Sequence, residues 1–380
     1  MTAPAWVPAR RRPQAGTGTF AALVALGLLF LVAVALVAGA AGGPVLVAAA
    51  LLAFIPLIGV VAAIRWVDRW EPEPWPALAV AFGWGASVAV IVALLLNTGA
   101  MLVITVLSTA ESATAAGAVL VAPVVEETIK GLGVLVVFGV WRRYFDGPVD
   151  GVVYAGMVAA GFAFVENILY FGETLVAATG QVGGGSAVAA VFVLRGLVSP
   201  FAHVVFTVCT GLALGLAGRR PGHAWIWAFP VGLAVAILLH ALWNGAAVLA
   251  GGAGFLIGYA LVQVPVFAAL VALVVWLRRQ EAAVLRARLA ELVAIGRLAP
   301  AELWMLTSLR HRRAARAWAR GVGPTAATAM RQLQVAATRW AFQRHRTLLG
   351  RQDLPGWHDE LALLDDVAAA RRQLASGAPV

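Results

Sequence analysis

The sequence predicts an all-α fold: a polytopic membrane helix bundle of about eight transmembrane helices, followed by a small helical cytoplasmic C-terminal domain. Three observations predict it. Of 380 residues, 62% are hydrophobic and 12% charged, and the mean hydropathy is +0.88, far above that of a water-soluble chain. Apolar stretches at roughly 19–41, 45–64, 77–97, 116–140, 150–171, 189–217, 224–248 and 253–277 each reach the ~20 residues that one crossing needs. The arginines between them alternate by side. Arg65 and Arg69, Arg142 and Arg143, Arg219 and Arg220, and Arg278 and Arg279 fall in every second loop, whereas the loops near 42–44, 98–115, 172–188 and 249–252 hold no Lys or Arg. Positive charge stays on the cytoplasmic side, so a multi-pass protein of the cell membrane with both termini in the cytoplasm is expected.

Taken in order, residues 1–18 are rich in Pro, Arg and Gly and read as a disordered cytoplasmic arm. The bundle covers 19–277. Its first segment follows Arg10, Arg11 and Arg12, and its apolar run is too long for a signal peptide, so it reads as a retained helix although Ala38-Gly39-Ala40 resembles a cleavage site. Trp66, Trp70, Trp75, Trp141, Trp225, Trp227 and Trp276 lie at segment ends, as an interfacial aromatic belt would. Residues 278–380 change character to Ala, Leu and Arg at helical spacing, with breaks near Gly296, Gly321 to Pro324 and Gly350 to Pro355, which predicts about four helices. There Leu303, Trp304, Leu306 and Leu309 form a stripe expected to be core.

Within the apolar segments a few polar residues stand out. Glu126 and Glu127 lie four and three residues before Lys130, the only lysine, so one helical face holds all three. A charge at this depth costs about 3 kcal/mol even on a lenient scale. Glu166 and Asn167 come late in the fifth segment, Arg195, Pro200, His203 and Thr207 in the sixth, and His240 and Asn244, aligned four apart, in the seventh. Each has a plainer reading: a neutralised ion pair for the first cluster, helix-to-helix hydrogen bonds for the histidines and Asn244, and a Glu166–Arg195 pair. Their depths argue for one cavity. At ~1.5 Å per residue, Glu126, Glu166 and His240 lie roughly 8–15 Å below the outer surface, with His203 a little deeper. Two imidazoles and three carboxylates form a ligand set suited to zinc and supply a general base beside a bound water.

Glu126-Glu127-x-x-Lys130, Phe162-x-x-x-Glu166-Asn167, Pro200-x-x-His203-x-x-x-Thr207 and His240-x-x-Trp243-Asn244, together with the segment Asp68 to Trp75, resemble the PrsW family of intramembrane proteases over roughly residues 60–250. That family is related to the CAAX prenyl proteases and to bacteriocin-processing membrane proteins. The resemblance implies that Glu126 and Glu127 supply the general base and its partner, that His203 and His240 are metal ligands or water orienters, and that Asn244 stabilises the oxyanion. Where the CAAX relatives carry a histidine, this chain has Glu166, which completes the expected metal set with His203 and His240. The expected activity is metal-dependent hydrolysis of a membrane protein near its extracytoplasmic end, with regulated cleavage of an anti-sigma factor as the implied role.

Other classes compete. A proton-coupled transporter or channel also uses buried Glu, His and Lys, but it predicts repeat symmetry between halves, and the sequence has no visible repeat. A catalytically silent scaffold would not need the full polar set. A single cysteine, Cys209, excludes a disulfide framework and a thiolate metal cage. The net charge of +10 fits topology and anionic lipid and gives no expectation of nucleic-acid binding. Residues 280–380 carry fifteen Arg against eight Asp and Glu, so a contact between the tail and anionic lipid is expected.

Overall fold

The structure is a computed structural model that describes residues 16–142, 144–145, 147–181, 183–218, 222–249, 251–350 and 356–377. Most of the N-terminal arm (1–15), with Arg143, Arg219 and Arg220, lies outside the described residues. The chain is a helical membrane bundle followed by shorter helices: α1 (Thr17–Ala41), α2 (Gly43–Val67), α3 (Trp75–Leu107), α4 (Ala110–Ala116, Gly117–Val121 and Ala122–Val140), α5 (Pro148–Ala178), α6 (Gly184–Gly218), α7 (Trp225–Leu249), α8 (Gly251–Gly258, Tyr259–Gln263 and Val264–Ala294), α9 (Pro300–Leu306), α10 (Leu309–Val322), α11 (Pro324–Leu348) and α12 (Gly356–Gly377). Among the described residues, α1, α2, α3, α5, α6, α7 and α8 are seven helices long and apolar enough to cross a membrane. The eighth apolar stretch, α4, is equally helical and is set apart by Glu126, Glu127 and Lys130.

Helices are the form such sequences must take, because hydrocarbon satisfies no backbone N–H or C=O. Several run beyond their apolar cores. The expected loop 98–115 is mostly helix, broken only near Ser108 and Thr109, where the Thr109 hydroxyl caps the next helix by accepting from the Ser112 N–H at 3.3 Å. π-helical turns interrupt α3 at Gly85–Ala89, α4 at Gly117–Val121, α6 at Val193–Val198 and α8 at Tyr259–Gln263. Such turns widen the backbone and redirect the side chains after them.

The contacts divide the chain into two units, Ala15–Asp68 with Glu73–Val274, and Arg69–Pro72 with Val275–Val380. At the centre of the first is α5, buried along most of its length against α2, α3, α4 and α6. Two glycine contacts bring backbones together there. A Cβ on Gly151 would lie 2.0 Å from the Gly211 carbonyl oxygen, and one on Gly161 would lie 2.1 Å from that of Phe82. Only glycine permits α5 to cross α6 and α3 this closely. The loop from α2 is braced by Asp68, whose Oδ1 accepts the Glu73 N–H at 3.0 Å, and Tyr154 of α5 donates its hydroxyl to Glu73 Oε2.

In the second unit, Leu285, Leu289, Leu292, Leu306, Leu333 and Trp340 form an apolar core. The glycines at its breaks, Gly296, Gly323 and Gly350, take positive φ of 72°, 148° and 67° and stop their helices. Trp70 departs from the belt expected of it. It is buried in this core under the guanidinium of Arg312, where a large ring gains more from full burial than from an interface. Within the stripe, Leu306 is buried, and Leu303 and Leu309 pack against the core, but Trp304 is exposed, because α9 turns that side outward.

Candidate functional site

The site begins on α4. Glu126, Glu127 and Lys130 fall on one face, and all three are buried. Lys130 Nζ lies 2.6 Å from Glu127 Oε1, 3.6 Å from Glu126 Oε2 and 4.1 Å above the Phe162 ring. Trp84 of α3 holds this helix by donating its indole N–H to the Ile129 carbonyl at 2.9 Å.

The histidines arrive from α6 and α7. The π turn of α6 and the irregular residues Ser199 to Phe201 bring His203 into the first turn of Ala202–Gly218. Its Nε2 lies 2.8 Å from Glu166 Oε2 and its Nδ1 3.3 Å from Lys130 Nζ. With Nε2–H donating to Glu166, the lone pair rests on Nδ1. His240 Nδ1 lies 3.0 Å from Glu127 Oε1, which leaves its Nε2 facing Glu126 Oε2 at 4.0 Å. Thr207 donates to the other oxygen of Glu127 at 2.8 Å, and Phe206 stacks on the His240 ring with centroids 4.9 Å apart. The two imidazoles stand at 85° with centroids 5.3 Å apart. Arg195 completes the surround. It donates to Glu166 and, through Nε, to Asn167 Oδ1 at 2.8 Å, and it covers the Tyr170 ring.

One ligand atom each from Glu126, His203 and His240 falls within 4.8 Å of the other two. Glu126 Oε2 is buried and has no hydrogen-bond partner among the described residues. A carboxylate holds His203 through Nε2 and His240 through Nδ1, as second partners of metal-binding histidines commonly do, while Lys130 Nζ lies beside His203 Nδ1. Two imidazoles and a carboxylate are a donor set for a divalent ion of the zinc type, so these residues fit a metal.

Of the residues singled out from the sequence, Glu126, Glu127, Glu166, His203 and His240 come together around Lys130. The group that could hold a metal contains Glu126, whereas Glu166, expected as a ligand, has its Oε2 engaged by Arg195 and His203. Glu127 has both oxygens engaged. Asn244 donates to the Ala118 carbonyl at 2.8 Å, tying α7 to the π turn of α4. The sequence reading missed Asn97, whose Nδ2 lies 3.5 Å from Glu126 Oε1. Its signal was available, since it too is an amide inside an apolar segment.

Comparison with known proteins bears on the same stretch. Residues 73–270, which carry the whole cluster, match the model of the PrsW family intramembrane metalloproteases. The chain belongs to this family. Protease PrsW of Clostridioides difficile (strain 630) is 33% identical over 162 residues, 42% of this chain and 62% of that protein. Protease PrsW of Geobacillus kaustophilus (strain HTA426) is 36% identical over 104 residues, 27% of this chain and 40% of that protein. The chain thus spans about three-fifths and two-fifths of these PrsW relatives. No solved structure matches it. Membership in the PrsW family makes the chain a membrane-embedded, multi-pass protein and does not favour the transporter reading. Residues after 270 lie outside the match.

Proposed function

We propose that the protein is a zinc-dependent intramembrane protease that hydrolyses a peptide bond of a membrane-protein substrate. The supporting observation is the convergence of Glu126, His203 and His240, with both histidines oriented by carboxylates. A bound zinc ion supplies a Lewis acid and lowers the pKa of a coordinated water.

Of the three residues that could hold a metal, His203 and His240 would be the ligands and Glu126 the base beside them, with Glu166 and Glu127 fixing the two rings. Glu126 has a buried oxygen, Oε2, that accepts no hydrogen bond among the described residues. It therefore takes the proton of the attacking water and returns it to the leaving amine. Lys130 and Arg195 balance the carboxylates and keep the site near neutral charge. Asn244 braces α7 against α4 in this scheme, although the family resemblance points to an oxyanion role for it. The arginine alternation supports cytoplasmic termini, a site in the outer half of a cell membrane and cleavage near the extracytoplasmic end. A membrane anti-sigma factor is the substrate class that the resemblance favours.

The test compares wild-type protein with Glu126→Gln and His203→Ala in detergent. Metal content is measured by mass spectrometry, and new N-termini are counted in the host membrane proteome. Cleavage products that need both residues, and stoichiometric zinc lost in His203→Ala, are expected. Intact substrates with the wild-type protein, or metal content indifferent to His203, would sink the reading.

A further inference from the structure

A cavity of about 210 Å³ opens beside the cluster, between α3, α4 and α5. Glu126 and Glu166 line it, together with Tyr170 and Glu173. So does Asn97 of α3, which has no part in the scheme above. Its Nδ2 reaches Glu126 Oε1 only at 3.5 Å, the outer limit of a hydrogen bond. Its Oδ1 is buried with no partner among the described residues. The other two amides near the cluster are committed: Asn244 donates to Ala118 at 2.8 Å, and Asn167 accepts from Arg195 at 2.8 Å. A buried amide oxygen without a donor is costly, so such a group calls for something to complete it.

A substrate of an intramembrane protease creates the matching need. Its scissile segment must leave the helical state, since a helix shields its own peptide groups. An unwound peptide in hydrocarbon then has bare N–H and C=O groups that the protein must satisfy. The carboxylates on the cavity wall only accept hydrogen bonds, whereas a carboxamide presents a donor and an acceptor side by side, as a peptide edge does.

We propose that Asn97 grips the backbone of the unwound substrate beside the scissile bond, Nδ2 donating to one peptide carbonyl and Oδ1 accepting from one peptide N–H. The inference rests on the protease reading. It implies recognition of main chain and not of a particular side chain at this position.

The test uses full-length, zinc-loaded protein in nanodiscs and synthetic fluorescent transmembrane peptides with a Gly-Pro break. Each peptide carries one N-methylated peptide bond at successive positions. Binding is followed by anisotropy, so the result does not depend on turnover. Asn97→Leu should bind the unmodified peptide about tenfold more weakly, with zinc content unchanged. N-methylation at one position should weaken wild-type binding to a similar degree and have no further effect in Asn97→Leu. Asn97→Ala and Asn97→Gln stand in if Asn97→Leu misfolds. An N-methyl penalty that persists in the variant, wild-type affinity in the variant, zinc loss, or no peptide binding by the wild type would each overturn the proposal. Peptide binding with the expected cycle but no cleavage would count against the protease chemistry alone.

Discussion

His240 Nδ1 lies 3.0 Å from Oε1 of Glu127, a residue 113 positions earlier in the chain. Glu127 Oε1 also receives Lys130, and its Oε2 receives Thr207. One carboxylate therefore joins α4, α6 and α7 and fixes which nitrogen of His240 carries the proton. That leaves the lone pair on Nε2, the nitrogen that faces Glu126. The adjacent glutamates of one motif thus differ: Glu127 has both oxygens engaged, whereas Oε2 of Glu126 accepts no hydrogen bond among the described residues.

Glu127→Gln should lower the affinity for zinc about 10- to 100-fold, because the tautomer and orientation of His240 are no longer imposed. Competition with a chromophoric chelator in detergent measures this directly. Affinity equal to that of the wild type would show that Glu127 does not orient a ligand.

Lys130→Met leaves Glu127 buried without its cation. Removing one partner of such a pair costs about 3–5 kcal/mol. A lower melting temperature in detergent and poor recovery are expected, and pairing the change with Glu127→Gln should restore part of the loss. A single variant as stable as wild type would remove Lys130 as the neutralising charge.

Trp70→Ala should loosen the second unit. Truncating a buried Trp costs about 3–5 kcal/mol, and Trp70 is 7% exposed within that core. Faster deuterium uptake in peptides spanning 285–292 and 333–341 of the full-length protein would report it. Unchanged uptake there would mean that the core closes without the indole.

The same loop carries a pH dependence. Burial pushes the Glu71 carboxyl above its ordinary range, against the pull of Arg346 and Arg339. A raised folded-state value means that the folded form binds the proton more tightly than the unfolded one. The stabilisation is complete below the unfolded value and is lost as pH rises through the folded one. Urea unfolding of the second unit, followed by exchange between pH 4 and pH 8, should show stability falling over this window, and Glu71→Gln should flatten it. Equal slopes in both proteins would refute the assignment.

Arg310, Arg313, Arg316 and Arg320 are exposed on α10, as is Trp318. We propose that this helix meets anionic lipid, each basic residue near such a surface contributing about 1 kcal/mol. Brominated lipids should quench Trp fluorescence more in wild type than in Trp318→Leu, only in anionic nanodiscs, and less at high salt. Quenching that ignores lipid charge would exclude the contact.

The glutamates, the lysine and the two histidines could be read from the sequence because charge inside an apolar run is costly wherever the run folds. Roles were harder to read. Glu126 and Glu127 are chemically identical neighbours, and only their partners from α6 and α7 separate them. Asn97 is the weaker signal, because no ionisable residue lies three or four positions from it on its helix. Trp70 was assigned to the membrane interface because sequence position cannot distinguish a ring at a helix end from one folded into the following unit.

By itself the sequence determined that the chain is a helical membrane bundle, roughly where its long apolar helices fall, and which side chains are too costly to be incidental. Those properties are local: apolar length, spacing along a helix and the price of a charge in hydrocarbon. Which nitrogen faces which oxygen was decided only by the tertiary structure. The close glycine crossings of α5, the π turns of α4 and α6 and the Ser199–Phe201 break set helix rotations and offsets. A turn of one residue, about 100° on a helix, would have sent His203 or His240 to lipid without altering the pattern from which they were read.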